Sequence, residues 1–232
     1  MDFFNYLING FTKTFIRDSR YLVFLKGIGN TLIIAVFATL MGVVLGTLVA
    51  VVKVLHNQTG KLKILNAIGE VYSTVIRGTP VVVQLLIAYN IIFVFSNNPV
   101  LVGTLTFGFN SGAYVSEIMR GGILAVDKGQ TEAGRSLGLS GTTTMFRIVF
   151  PQALKSILPS IGNEFISLLK ETSVIGYLGV VDLTKAAERV ITRTADVYFP
   201  YISIAIIYLV MVLGLSALFK KLEKRLAKSD KR

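Results

Sequence analysis

Residues 31–52 read TLIIAVFATLMGVVLGTLVAVV, 22 residues without a charged side chain. A second uncharged run of 20 residues extends from Pro200 to Phe219. About 20 consecutive apolar residues let a helix cross the ~30 Å hydrocarbon core of a bilayer. Because the apolar residues come in runs of this length, both stretches predict membrane-spanning helices.

The composition of the 232-residue chain agrees with a membrane protein. It is 53% hydrophobic, with a mean hydropathy of +0.66 and a net charge of +11. The chain has no cysteine, which excludes a disulfide framework, and its one histidine, His56, argues against a histidine metal site. A charge of +11 would also suit a nucleic-acid-binding protein, but here the basic residues flank the apolar runs.

We predict a single all-α domain with five transmembrane helices, at about 22–54, 66–96, 99–125, 154–181 and 199–222. Polar residues interrupt the third and fourth of these, which indicates that both helices face protein rather than lipid. These interrupting residues are Asn110, Glu117, Asn163, Glu164, Lys170 and Glu171. In the first helix, small residues at every fourth position predict a close contact with another helix. These residues are Ala38, Gly42, Gly46 and Ala50. We favour a helix of the same chain over one of a second subunit.

The two ends of the chain lie outside these five spans. In residues 1–20, apolar side chains recur at helical spacing, which predicts an amphipathic helix at the membrane interface or, alternatively, one packed on the other helices. Residues 223–232 form a basic tail. Five spans place the termini on opposite sides, and one set of flanks carries fourteen basic residues, Lys53 among them, against seven on the other. The positive-inside rule then predicts a cytoplasmic C-terminus, a cytoplasmic loop at 127–151 and an external N-terminus.

The predicted cytoplasmic loop contains residues 132–151, EAGRSLGLSGTTTMFRIVFP. We expect Asp127 to cap a short helix over about 128–137, Gly138 to end it in the left-handed conformation, and Ser140 to cap a second helix. Such a rigid loop either docks a partner or is a capped hairpin without one.

The loop resembles the EAA signature of the membrane-spanning subunits of bacterial ABC importers. The matching positions are Glu132, Ala133, Leu137, Gly138, Phe146, Ile148 and Pro151. In that family the loop forms a coupling helix that docks into the ATPase subunit, which implies this role for Glu132, Ala133, Gly134, Leu137 and Gly138. Gly134 replaces the alanine of the signature. Because glycine costs ~1 kcal/mol in a helix interior, we expect a shorter coupling helix.

Other segments narrow the resemblance to permeases for polar amino acids, over about residues 22–222. Residues 77–84, RGTPVVVQ, are similar to the RGTP-x-x-x-Q sequence of that group, and 163–173, NEFISLLKETS, resemble the segment after its EAA loop. Residues 113–117 and 120–123 also fit. Residues 96–106 are short for the family. The resemblance implies the type I ABC importer permease fold.

The fourth predicted helix supplies most of the candidate substrate path. At 100° per residue its polar side chains fall on one broad face. These are Asn163, Glu164, Ser167, Lys170 and Glu171. A charge at mid-membrane costs ~2.5–3.5 kcal/mol, so this face either lines the path or its charges pair, for example Lys170 with Glu117 or Glu171.

Glu164 is the candidate ligand for the amino or cationic group of the cargo, with Asn163 and Ser167 as hydrogen-bonding partners. This favours basic amino acids (arginine, lysine, histidine), with glutamine close behind.

The second helix supplies further candidates. Pro80 cannot donate to the carbonyl of Ile76, so the helix is expected to break there, as membrane helices do where they line a cavity or pack within protein. We assign Gln84 and Tyr89 to the substrate path, with packing as the alternative. Glu117 and Arg120, three residues apart, are expected to pair.

The function predicted from these features is transport, not catalysis. No G-x-x-x-x-G-K-[ST] occurs, so ATP and Mg are expected on a separate ATPase, and no cofactor or metal on this chain. The resemblance implies a second permease subunit, identical or not, an extracytoplasmic amino-acid-binding protein, and a location in the bacterial inner membrane. The alternative is an ion-coupled secondary transporter, which usually has more spans and inverted repeats. A receptor-like scaffold or a membrane enzyme is less well supported.

Overall fold

The computed structural model describes residues 3–227, which are largely helical and contain no β-strand. The predicted all-α class is confirmed. Ten α-helices are numbered here in chain order: α1 Phe3–Phe11, α2 Tyr21–Thr59, α3 Lys63–Gly78, α4 Val81–Ile87, α5 Pro99–Leu124, α6 Lys128–Ser136, α7 Gly141–Thr144, α8 Phe150–Glu171, α9 Leu183–Thr194 and α10 Tyr198–Ala227. Short π- or 3₁₀-helical segments lie at 12–16, 17–19, 88–92, 145–149 and 172–178.

The five predicted spans correspond to α2, the pair α3–α4, α5, α8 and α10. By length and hydropathy alone, α2 and α10 can each cross a membrane, and the bent pair would make a third span. Helices α5 and α8 contain 26 and 22 residues, enough to cross, but polar residues lower their hydropathy. Those residues include the buried Asn110, Ser111 and Ser116, as expected for helices that face protein.

Close packing of α2 on α5 forms the centre of the bundle. A β-carbon at Gly42 would lie 2.7 Å from Ser111 Oγ, and one at Gly46 would lie 2.6 Å from Val115 Cβ. Ala38 and Ala50, on the same stripe of α2, are also buried. The predicted small-residue stripe is therefore confirmed as an intramolecular contact, because only small side chains admit this separation.

Helix α9 is a structural feature that the sequence analysis missed. The side chain of Asp182 caps it by accepting from the backbone N–H groups of Thr184 (3.0 Å) and Lys185 (2.9 Å). Its apolar face packs with Phe24 and Ile204. The signal was present in the sequence, as an aspartate followed by an amphipathic run, but the predicted fourth span ran too far, to residue 181, and no helix was placed after it.

The N-terminal segment is exposed in its first part and packed on α2 in its second, and its place at the membrane interface stays a prediction. The α-helix within residues 1–20 ends at Phe11, and its apolar side chains, such as Phe4 and Ile8, are exposed as on an interfacial helix. Phe15, in the turn that follows, packs on Phe24 of α2, with ring centroids 4.9 Å apart. At the other end, the first residues of the predicted tail continue α10 to Ala227, and residues 228–232 lie outside the described part of the chain.

Candidate functional site

The break between α3 and α4 is stabilised by hydrogen bonds of the Gln84 side chain. The two helices meet at 107°, with Thr79 extended and Pro80 as the N-cap of α4. Gln84 spans the break: its Nε2 donates to the carbonyl of Ile76 at 2.7 Å and to Thr79 Oγ1 at 2.8 Å. The Gln84 amide thus satisfies a carbonyl that Pro80 leaves without a helical donor.

A polar cavity of about 300 Å³ lies beside this break, between α3, α4, α5 and α8. Its volume is at the lower end of the range for small-molecule sites. The lining residues are Arg77, Gly78, Thr79, Pro80, Val81, Asn110, Tyr114 and Glu171. A larger groove of about 500 Å³ between α2, α8 and α10 is almost entirely apolar, so it offers few groups to orient a charged ligand.

The cavity contains one cation and one carboxylate, contributed by different helices. The Arg77 guanidinium lies over the ring of Tyr114, 5.6 Å from its centroid, which is cation–π geometry. Asn110 is buried and donates to Gln84 Oε1 at 3.0 Å. Glu171 reaches the cavity from the last turn of α8. The site can therefore hold a ligand that carries both an anionic and a cationic group.

Of the predicted path residues on α8, Glu171 lines the cavity and the others lie outside its lining. Glu171 lines the cavity, whereas Glu164 lies two turns earlier on α8 and accepts a hydrogen bond from Ser111 Oγ at 3.0 Å. Asn163 and Lys170 are exposed, and Ser167 is half-buried, all outside the cavity lining. Their assignment to the path stays a prediction.

The two candidates on the second span are also separated from each other. Gln84 bonds to the helix break, as described above, and Tyr89 packs against the buried cluster that contains Leu85 and Phe107. Sequence reasoning did not assign Arg77 and Tyr114 to the path. Both residues lie in segments that resemble the permease family, Arg77 in 77–84 and Tyr114 in 113–117, and these segments were the available signals.

A charged network lies next to the cavity. Lys53 is 1% exposed, and its Nζ lies 2.9 Å from Glu117 Oε1, 3.1 Å from Ser73 Oγ and 3.4 Å from Glu70 Oε1. Lys53 was counted above among the flanking basic residues, but its side chain is buried within the bundle. It is buried because two carboxylates and a hydroxyl on neighbouring helices replace its hydration.

The other partners of Glu117 are arginines. Its Oε2 lies 2.9 Å from Arg120 Nη2, which confirms the expected pair, and 3.8 Å from Arg77 Nη1. The cations that contact Glu117 are thus Lys53, Arg77 and Arg120, and not Lys170 as suggested. Helices α2, α3 and α5 are joined through the Glu117 carboxylate. The other suggested partner of Lys170, Glu171, is near enough for a charge interaction.

The polar loop after α5 forms the predicted pair of capped helices. Asp127 Oδ1 accepts from the N–H of Gly129 at 2.6 Å, and α6 ends with Leu137 as its C-cap. Gly138 follows with φ +79°, in the left-handed region that glycine occupies without strain. Ser140 Oγ accepts from the N–H of Thr143 at 3.1 Å. These caps are confirmed.

Gly134 allows the two helices of this loop to pack together. It is the buried residue of α6, and a β-carbon there would lie 2.6 Å from Thr144 Cγ2 and 3.2 Å from Ile148 Cδ1. Glu132, Ala133 and Leu137 are exposed, Leu137 by 80%. The loop therefore presents an exposed helix face on a rigid, internally packed base.

Comparison with known proteins gives a consistent family. Residues 42–228 match the family described as binding-protein-dependent transport system inner membrane component. The chain is 38% identical to the putative glutamine transport system permease protein GlnP of Rickettsia bellii, covering 89% of this chain and 94% of that protein. It is 33% identical to the L-cystine transport system permease protein TcyB of Bacillus subtilis, covering 91% and 89%. A solved structure, described as an amino acid ABC transporter with histidines, superimposes with a TM-score of 0.83 and 37% identity, covering 97% of this chain and 99% of that chain.

Proposed function

Since the chain belongs to the family of binding-protein-dependent transport system inner membrane components, as a permease subunit of an amino-acid ABC importer, we propose that the cavity at the α3–α4 break receives the cargo. The observation that carries this proposal is the joint presence of Arg77 and Glu171 in one small cavity. An amino acid has a carboxylate and an ammonium group, and these are the partners that the two side chains require.

The chemistry of the two groups assigns the ends of the cargo. A guanidinium has a planar fork of donors that matches a carboxylate, so Arg77 binds the α-carboxylate. Glu171 accepts from the ammonium group. The amide of Asn110 is already bonded to Gln84, so it holds the shape of the cavity.

Cargo preference follows from the carboxylates of α8. Glu164 lies two turns before Glu171 on α8, so two carboxylates follow this side of the helix. We infer a preference for basic amino acids, with glutamine close behind, and rejection of acidic ones. The cargoes named for the relatives above are glutamine and cystine, and the solved structure is described with histidines, which supports rejection of acidic side chains.

Coupling is proposed to run through α6. Its exposed face, with Glu132, Ala133, Leu137 and the adjoining Gly138, docks on a separate ATPase that binds ATP and Mg, while Gly134 holds α6 against α7. Two permease subunits enclose the path, and an extracytoplasmic binding protein delivers the cargo. The N-terminus is outside and the C-terminus cytoplasmic. Without the buried Lys53 and Arg20, the flank charges still favour this orientation by thirteen to six.

The test is uptake by the reconstituted permease, ATPase and binding protein in liposomes. We expect ATP-dependent uptake of arginine, histidine or glutamine, and none of glutamate. Arg77→Gln and Glu171→Gln should each reduce uptake at least tenfold, since each removes a charge that pairs with the cargo. Arg193→Gln, an exposed arginine of α9 away from the cavity, is the matched control. Uptake of acidic amino acids alone, or normal uptake by both cavity variants, would refute the assignment.

A further inference from the structure

The carboxylate of Glu117 connects the substrate cavity to the buried Lys53. We propose that Glu117 is a positioning residue that limits how tightly Arg77 holds the carboxylate of the cargo, and so allows the cargo to leave. This inference rests on the function proposed above.

The distances divide the two oxygens of Glu117 among three cations. Oε1 accepts from Lys53 at 2.9 Å, and Oε2 accepts from Arg120 at 2.9 Å. The contact with Arg77 is 3.8 Å, longer than a charge-assisted hydrogen bond. Glu117 therefore lowers the positive potential at Arg77 without occupying its donors. Those donors remain available, and the side chain of Arg77 is 43% exposed at the cavity.

The ion pairs of this network contain one more positive than negative charge, and Glu171, the carboxylate of the cavity, is not among them. Lys53, Arg77 and Arg120 supply three positive charges, whereas Glu70 and Glu117 supply two negative ones. Arg77 is the member of this group that also lines the cavity. A cargo carboxylate at Arg77 completes the balance, and the negative charge of Glu117 weakens the attraction between that carboxylate and the guanidinium.

The backbone of α3 is held independently of the cargo. Lys53 contacts both Ser73 and Glu70, so α3 stays attached to α2 when Arg77 binds the cargo carboxylate. The effect of the Glu117 charge is then confined to the Arg77 side chain. If the Glu117 charge is removed, the positive potential at Arg77 rises. The cargo carboxylate then binds more tightly and is released more slowly.

The experiment uses the purified permease–ATPase complex without binding protein. The dissociation constant is measured with radiolabelled L-arginine and L-glutamine, with L-argininamide, which lacks the carboxylate, as the comparison ligand. The turnover number comes from uptake into liposomes with the binding protein present. Glu117→Gln should bind the free amino acid roughly threefold to tenfold more tightly, lower the turnover number by a similar factor, and leave argininamide binding unchanged.

The matched control is Glu70→Gln, which removes the other carboxylate near Lys53 and has no contact with Arg77 in the described structure. It should leave both constants unchanged, and Glu117→Asp should restore wild-type behaviour. If Glu117→Gln misfolds because Lys53 loses its closest partner, the double variant Lys53→Met/Glu117→Gln removes the buried cation together with that partner and should show the same tighter binding.

Three outcomes overturn the inference: unchanged affinity in both Glu117→Gln and Lys53→Met/Glu117→Gln, an equal change for argininamide, or the same change in Glu70→Gln. If the wild-type complex neither binds nor transports any amino acid, the proposed function fails as well. Wild-type transport with an unaffected Glu117→Gln variant removes the role of Glu117 alone.

Discussion

Gly134 lies on α6 at the position where the EAA signature has alanine, and Gly134→Ala sets two physical effects against each other. Helix propensity favours alanine by ~1 kcal/mol, so propensity alone predicts a more stable loop. The structure predicts the reverse, because the new β-carbon would lie 2.6 Å from Thr144 Cγ2. Thr144 is fully buried and branched at its β-carbon, so its side chain cannot rotate away freely.

The magnitude follows from this overlap. Normal carbon–carbon contact begins near 3.5 Å, so α6 and α7 must separate by nearly 1 Å. Overpacking of this kind costs about 1–3 kcal/mol, and the propensity gain offsets about 1 kcal/mol of it. We expect a net loss of about 1 kcal/mol. Such a loss lowers the melting temperature by roughly 2–4 °C and weakens ATPase association roughly fivefold if docking needs the packed loop.

The assay combines thermal unfolding of the purified permease with ATPase pull-down. Gly121→Ala is the matched control, because a β-carbon there meets nothing within 4 Å, and this variant should be as stable as the wild type or more so. Gly134→Ala combined with Thr144→Ala should recover much of the loss, because the overlapping Cγ2 and Oγ1 are gone. Equal or higher stability of Gly134→Ala with normal pull-down would show that propensity outweighs the steric overlap, and the packing argument would be refuted.

Three further predictions concern the loop, the topology and the cargo. Gly138→Pro cannot adopt φ +79°, and Glu132→Lys reverses a charge on the exposed face of α6, so both should abolish uptake and weaken ATPase pull-down at normal membrane insertion. Wild-type pull-down by both variants would contradict the coupling role. A cysteine at Thr142 should be labelled only from the cytoplasm and one at Thr192 only from outside, and reversed labelling would overturn the orientation. Glu164→Gln should reduce uptake of arginine at least fivefold with basal ATPase activity and abundance unchanged. Normal arginine uptake would make Glu164 a structural partner of Ser111.

Features that depend on neighbouring residues could be predicted from the sequence. The apolar runs at 31–52 and 200–219 lie within α2 and α10, because transfer of a helix into hydrocarbon depends on its own side chains. Asp127, Gly138 and Ser140 form their predicted caps, since a cap needs a donor or a backbone angle within about three residues. The helix break at Pro80 follows from the missing N–H of one residue.

The positions of the polar groups within the bundle were decided by tertiary structure. Lys53 and Glu117 are 64 residues apart and Gln84 and Asn110 are 26 apart, so their contacts depend on how separate helices rotate and pack. Hydropathy and spacing describe one helix at a time, so they counted Lys53 only as a flanking charge and did not place Arg77 beside a cavity. Gly134 shows the same limit. The cost of a glycine to helix α6 could be predicted from the sequence. The reason that a glycine stands there, the contact with Thr144 on α7, depends on how the two helices pack.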